Sequence, residues 1–193
     1  MARVELIDPE KAEGETKAVF ERVKSYYQMV PGLQKALAYL PKTTDALWTL
    51  SLATAGEGQI REELKRVFFA VTAHEVGCEY CTAAHMIALL GKQWSRDECV
   101  EVIEGHPSAR LDERENAAVR FARAVARSPA GVDDAAVEQV RAAGWSDPEI
   151  VEIVAAVALM RYTTTVASAL DVPLEKAMEG VGVSCGVPLE RRD

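Results

Sequence analysis

Apolar residues recur every three or four positions along almost the whole chain, Ala is abundant, and alternating runs of the strand type are hard to find. An all-α fold is predicted. Pro9 is expected to open a first helix running to Tyr27, with a turn at Pro31-Gly32 and a short apolar segment, LQKALAYL, before Pro41. Thr43, Thr44 or Asp45 is placed to cap a helix through LWTLSLATA, which Gly56 and Gly58 would end. In IREELKRVFFAVTAHEVG, the residues Ile60, Leu64, Val67, Phe68 and Val71 form one stripe that demands burial, and Gly77 stops the helix.

A further helix is predicted from Cys78 or Glu79 to Leu90, closed by Gly91. Ser95 starts CVEVIEG with Asp97 and Glu98 in the opening turn, Asp112 opens ENAAVRFARAVARS, and Val132 begins DDAAVEQVRAAG. Ser146-Asp147-Pro148 pairs a cap with a proline near the first helical position and launches EIVEIVAAVALMRYTTTVASAL. So apolar a helix is expected to be covered on most of its circumference, by the core or by another subunit. The tail, GVGVSCGVPLERRD, is Gly-rich and expected to be irregular. The helix pairs around residues 60–90 and 112–168 share a faint likeness without a fixed period.

Composition narrows the partners. A chain of 193 residues suits one domain over 1–193 with one core. A hydrophobic share of 49% with moderate charge is that of an ordinary globule. The net charge of -8 argues against a nucleic-acid or anionic-membrane surface, both of which need clustered Lys and Arg, and leaves small molecules or proteins. No charge-free apolar run reaches roughly 18 residues, so no transmembrane helix is predicted. The start, MARVELIDPEKAEGETKAVF, has neither secretory nor transit-peptide character, and the cytoplasm is the expected compartment. There, closely spaced cysteines read first as metal-binding or redox groups.

The chemistry gathers in HEVGCEYCTAAHM, where Cys78, Cys81 and His85 fall within eight residues. The first turn of a helix presents bare N–H groups and the positive end of the helix dipole, which favour thiolate over thiol. A free cysteine titrates at about 8.5, whereas Cys-x-x-Cys sites at helix starts fall to roughly 3.5–7.5. Either sulfur is thus a potential nucleophile. Their spacing puts both on one helical face, able to close a disulfide, and His85 lies four residues beyond Cys81 on that face with Cβ atoms roughly 5–6 Å apart. An imidazole titrating near about 6.5 can take and return the Cys81 proton. Zinc is the alternative, with Cys99, His74 or His106 as a fourth ligand, but zinc fingers usually set their second pair across a longer loop, and a chain this apolar needs no metal to fold. Cys99 reads as a small core residue, Cys185 by default as a tail residue of no particular role, with a spare thiol or an intersubunit contact as the alternatives, and Trp48, Trp94 and Trp145 as packing anchors. No Gly-x-Gly-x-x-Gly follows a strand and no Gly-Lys-Ser/Thr loop occurs, so no cofactor is expected.

Cys78-x-x-Cys81-x-x-x-His85, preceded by Gly77, resembles the alkylhydroperoxidase D (AhpD)-like group of the carboxymuconolactone decarboxylase superfamily, in its peroxidase-related branch. VFERVKSYYQMVPGLQKALAY, GCEYCTAAH, DERENAAVRFARAV and GWSDPEIVEIVAAVAL through DVPLE occur in that order in the branch, so the resemblance covers nearly the whole chain. It implies an all-helical AhpD-like bundle, a homo-oligomer, a hydroperoxide substrate and an external dithiol reductant. It also implies that Cys81 attacks the peroxide to give a sulfenic acid and that Cys78 resolves it as a disulfide. Decarboxylases of the superfamily and a redox-sensing oligomer are the other readings. One position departs from the pattern: the family usually has a relay glutamate twelve residues before the first cysteine, where this chain has Arg66. Arginine accepts no proton, although its charge stabilises a nearby thiolate. Glu62 and Glu63, one turn earlier, are the candidate substitutes, with Glu75 expected to face solvent and Tyr80 expected to hold a water in the site.

Overall fold

The computed structural model describes residues 2–181, and among these the chain is helical with no strand. Nine α-helices follow one another: α1 (Gly14–Tyr27), α2 (Gly32–Leu37), α3 (Pro41–Gly56), α4 (Glu62–Glu75), α5 (Glu79–Leu90), α6 (Arg96–Glu104), α7 (Glu113–Arg127), α8 (Asp134–Ala142) and α9 (Asp147–Ala169). Short 3-10 turns lie at Pro129–Gly131 and Lys176–Met178. The predicted all-α architecture is the one observed.

Helix α4 is the hub, packed against α5, α6, α7 and α9. The stripe of Ile60, Leu64, Val67, Phe68 and Val71 is buried in the main core, as its spacing demands. Val19 and Val23 pack on Trp48 in a smaller cluster that ties α1 to α3. Three helix starts follow their sequence signals closely: Ser95 with Glu98, Asp112 with Glu115 and Ser146 with Glu149 each form a reciprocal capping box.

Two predicted starts move. Pro9 does not open α1, because the Asp8 side chain accepts the Glu10 N–H at 3.0 Å and the Asp8 carbonyl accepts the Lys11 N–H at 3.0 Å, folding residues 8–11 into a turn. Helix α3 begins at Pro41, ahead of the threonines expected to cap it, since proline's missing N–H and preset φ suit the first helical position. The Thr44 hydroxyl instead lies within hydrogen-bonding distance of the Leu37 and Leu40 carbonyls, at 2.9 and 3.0 Å, and ties α2 to α3.

Helix α9 is less enclosed than its composition suggests. Half of its most apolar stretch is buried inside the fold, while Val151, Val154 and Tyr162 stay exposed. By length and composition alone it would pass as a membrane span, and its packing on α3, α4, α5 and α7 accounts for the apolar face it buries.

Candidate active site

Gly77, in the left-handed conformation with φ +75°, turns the chain out of α4 while the Cys78 N–H closes on the Ala73 carbonyl at 2.9 Å. That closure delivers Cys78 to the N-cap of α5, where its sulfur accepts the Cys81 N–H at 3.3 Å. The sulfurs therefore meet at the helix entrance, as the spacing predicts. A hydrogen bond from the Cys81 side chain, aided by Ser168 and the Cys81 N–H, outweighs burial and lowers the Cys78 thiol to about 7. Both cysteines are nearly closed to solvent, at 2% and 4% exposure. Of the two, Cys81 lines the adjoining cavity. The acidic sulfur and the cavity-facing sulfur are different atoms.

The cavity has a volume of about 360 Å³. Tyr26, Tyr27 and Trp48 form an edge-to-face cluster on one side, with centroids 4.9–5.5 Å apart. Leu159, Met160 and Met178 add aliphatic and thioether wall. His85 also lines it, its ring 5.2 Å from that of Phe69. The imidazole does not titrate in the ordinary range expected from sequence: burial, with the charge of Arg66 as a second cause, lowers it to about 3. His85 is thus neutral at physiological pH, and its Nδ1 is buried without a hydrogen-bond partner among the described residues.

Arg66 lines the same cavity, donating to Glu62 at 3.1 Å and to the Tyr26 hydroxyl at 3.3 Å. Glu62 and Glu63, the sequence candidates for a relay acid, do not line it. Glu62 is shared between Arg66 and Lys92, while Glu63 accepts the Trp94 indole N–H at 2.7 Å and pairs with Arg61 and Arg110. These cations and the indole hold both carboxylates outside the site. Glu75 does not face solvent freely either, being clasped by Arg123 and Arg127 at 2.7 Å each.

The carboxyl that does line the cavity is Glu175, which sequence reasoning missed. Its Oε1 accepts the Tyr80 hydroxyl at 2.8 Å and the Gly32 N–H at 2.6 Å, and its Oε2 is buried without a partner among the described residues. Tyr80 lines the cavity, with its hydroxyl engaged by Glu175. Burial and then the Glu175 charge raise its phenol well above the ordinary range, so it stays protonated. The one sequence signal was the acid of DVPLE, 95 residues from Tyr80 and without any register linking it to the dithiol.

No protein-family model and no curated protein sequence matches the chain. Solved structures do. An AhpD-core, peroxidase-related protein of Ralstonia eutropha JMP134 superposes with a TM-score of 0.81 at 19% identity, over 92% of this chain and 94% of that one. A peroxidase-related protein of Silicibacter sp. TM1040 gives 0.80 at 23% identity, over 93% and 94%. The debrominase Bmp8, as a cysteine-to-alanine variant in complex with 2,3,4-tribromopyrrole, gives 0.78 at 20% identity, over 94% and 97%. The chain has the AhpD-like fold.

Within this AhpD-like bundle the remaining candidates lie elsewhere. Cys99 is fully buried on α6, and burial raises its thiol to about 11, which makes it inert. His74 sits beside Glu75 and Arg123, and burial lowers its pKa. His106 follows the α6 cap and donates its N–H to the Glu101 carbonyl. Among the described residues, no three His, Cys, Asp or Glu side chains gather as a metal-binding set. Trp94 and Trp145 are buried anchors, whereas Trp48 is both anchor and cavity wall. Cys185 lies outside the described residues.

Proposed function

We propose that the protein is a thiol-dependent peroxidase that reduces an apolar organic hydroperoxide with the Cys78/Cys81 dithiol. The observation that carries this reading is the sulfur-capped entrance of α5, which joins Cys78 to Cys81 and sets Cys81 in the wall of an aromatic cavity with His85. Cys81 attacks the terminal peroxide oxygen and the O–O bond breaks, leaving an alcohol and a sulfenic acid. Cys78, already acidic at about 7, then attacks the Cys81 sulfur, expelling water and forming the disulfide. The two electrons that cleave the peroxide come from the two sulfurs, and an external dithiol protein or small thiol restores them. Neutral His85 serves as hydrogen-bond acceptor for the bound hydroperoxide. The uncharged exposed stripe of Val151, Val154 and Tyr162 supports a homo-oligomer.

The test is consumption of cumene hydroperoxide and of hydrogen peroxide with dithiothreitol as reductant. The parent protein is expected to turn over repeatedly and to favour the organic peroxide, with Cys81→Ser and Cys78→Ser inactive. A parent no faster than Cys81→Ser would overturn the reading. The aromatic cavity and the likeness to Bmp8, solved with 2,3,4-tribromopyrrole, favour one second reading, reductive debromination. In that reaction two thiols and an aryl bromide give a disulfide, an arene, bromide and a proton. Bromide release from tribromopyrrole without peroxide turnover would select it.

A further inference from the structure

We propose that Glu175 is the proton-transfer carboxyl of the dithiol site, supplied by the segment after α9 in place of the acid that Arg66 displaces. The inference rests on the dithiol reading above and concerns how its protons move.

Three observations converge on Glu175. Its Oε1 is fixed by two donors from different elements, the Tyr80 hydroxyl of α5 at 2.8 Å and the Gly32 N–H of α2 at 2.6 Å. Tyr80 lies between the two cysteines in sequence, and its phenol feels the charges of both Glu175 and Cys81, so carboxyl and thiol flank one hydroxyl. Oε2, by contrast, is buried with no partner among the described residues. A buried polar oxygen without a partner costs roughly 1–3 kcal/mol, and such orphans call for a functional explanation. An oxygen that receives a proton during turnover is satisfied during the step that needs it.

Among the described residues, the rest of the cavity offers no equivalent carboxyl. Its titratable and charged groups are Tyr26 and Tyr27 from α1, Arg66 from α4, and Tyr80, Cys81 and His85 from α5, while α2, α3 and α9 contribute neutral side chains. Arg66 is a permanent cation, the three phenols are donors, and burial, then the charge of Arg66, opposes protonation of His85, although its Nδ1 is also buried without a partner among the described residues. Starting from the two thiols, the Cys81 proton passes to Glu175 Oε2 as sulfur attacks the terminal peroxide oxygen. The departing alkoxide takes that proton back and leaves as the alcohol, with Cys81 now a sulfenic acid. Cys78 attacks the Cys81 sulfur, and the hydroxide leaves with the Cys78 proton as water. The geometry also explains Gly32, where an added Cβ would stand 2.9 Å from Val172 Cγ1 and 3.4 Å from Glu175 Oε1.

The deciding variant is Glu175→Gln, which keeps the Oε1 acceptor and removes the open proton acceptor. Single-turnover oxidation by cumene hydroperoxide is expected to slow by about 10²-fold, the low end of general acid–base contributions. Its pH–rate profile should differ in shape from the parent's, a change that loss of packing alone would not produce. Tyr80→Phe, which keeps the carboxyl and removes one anchor, should fall between the two. Unchanged rates and an unchanged pH profile in Glu175→Gln would overturn the proposal. If the parent fails to reduce any hydroperoxide, the peroxidase reading falls by itself, and the same variants compared in exchange with glutathione disulfide, where Cys81 must also lose its proton, still decide the role of Glu175.

Discussion

Arg66 and His85 line one cavity, and the guanidinium charge adds to burial in holding the imidazole neutral, with its pKa near about 3. The relation has two measurable consequences. Arg66→Gln should raise the His85 pKa, yet leave it below about 6.5 because burial is the larger cause, as an NMR titration of the ring protons would read. Stability carries the same signature. Between about 3 and 6.5 the unfolded chain binds a proton at His85 that the folded chain refuses, so this group's effect is to lower stability as pH falls below about 6.5. His85→Asn should flatten that part of the stability–pH curve, and an unaltered slope would show that the ring is not held neutral.

Much of this was legible in sequence where the signal is local. Caps at Ser95, Asp112 and Ser146, and the apolar stripe from Ile60 to Val71, act within one or two turns and fold as they read. The dithiol entrance is equally local, since Gly77, Cys78 and Cys81 fix one another through near-neighbour hydrogen bonds. Glu175 is the opposite case: its place depends on α2, α5 and the segment after α9 coming together, and nothing in the spacing encodes that. Glu62 and Glu63 had the right register on α4 but lie among cations and an indole that sequence spacing did not reveal. Pro9 was misread because Asp8 offers the backbone a competing turn.

Cys78 should be observable as a thiolate near neutral pH. At about 7 it is half ionised near neutrality, and its largest support is the hydrogen bond from the Cys81 side chain. Thiolate absorbance at 240 nm, followed against pH, should show an inflection near 7 in the parent. Cys81→Ala should move that inflection up toward the ordinary value of about 8.5, and Ser168→Ala should move it by less. An unmoved inflection in Cys81→Ala would mean that the helix entrance alone sets the acidity.

The structural keystone lies away from the chemistry, in the pair Lys65 and Glu152. Lys65 is buried to 2% side-chain exposure in the first turn of α4, and its ammonium meets Glu152 of α9 at 3.0 Å and the Glu57 carbonyl. The same carboxylate accepts the N–H groups of Gln59 and Ile60 at 2.7 and 3.1 Å, closing the loop between α3 and α4. Glu152→Ala therefore strands a buried cation and two backbone donors together, and should destabilise the fold by about 3–5 kcal/mol. Lys65→Met should cost less, because a flexible apolar chain fills the buried path and leaves Glu152 its two backbone donors. Urea unfolding of the two variants checks the order. Equal losses, or a milder Glu152→Ala, would show that the ammonium finds water when its partner is removed.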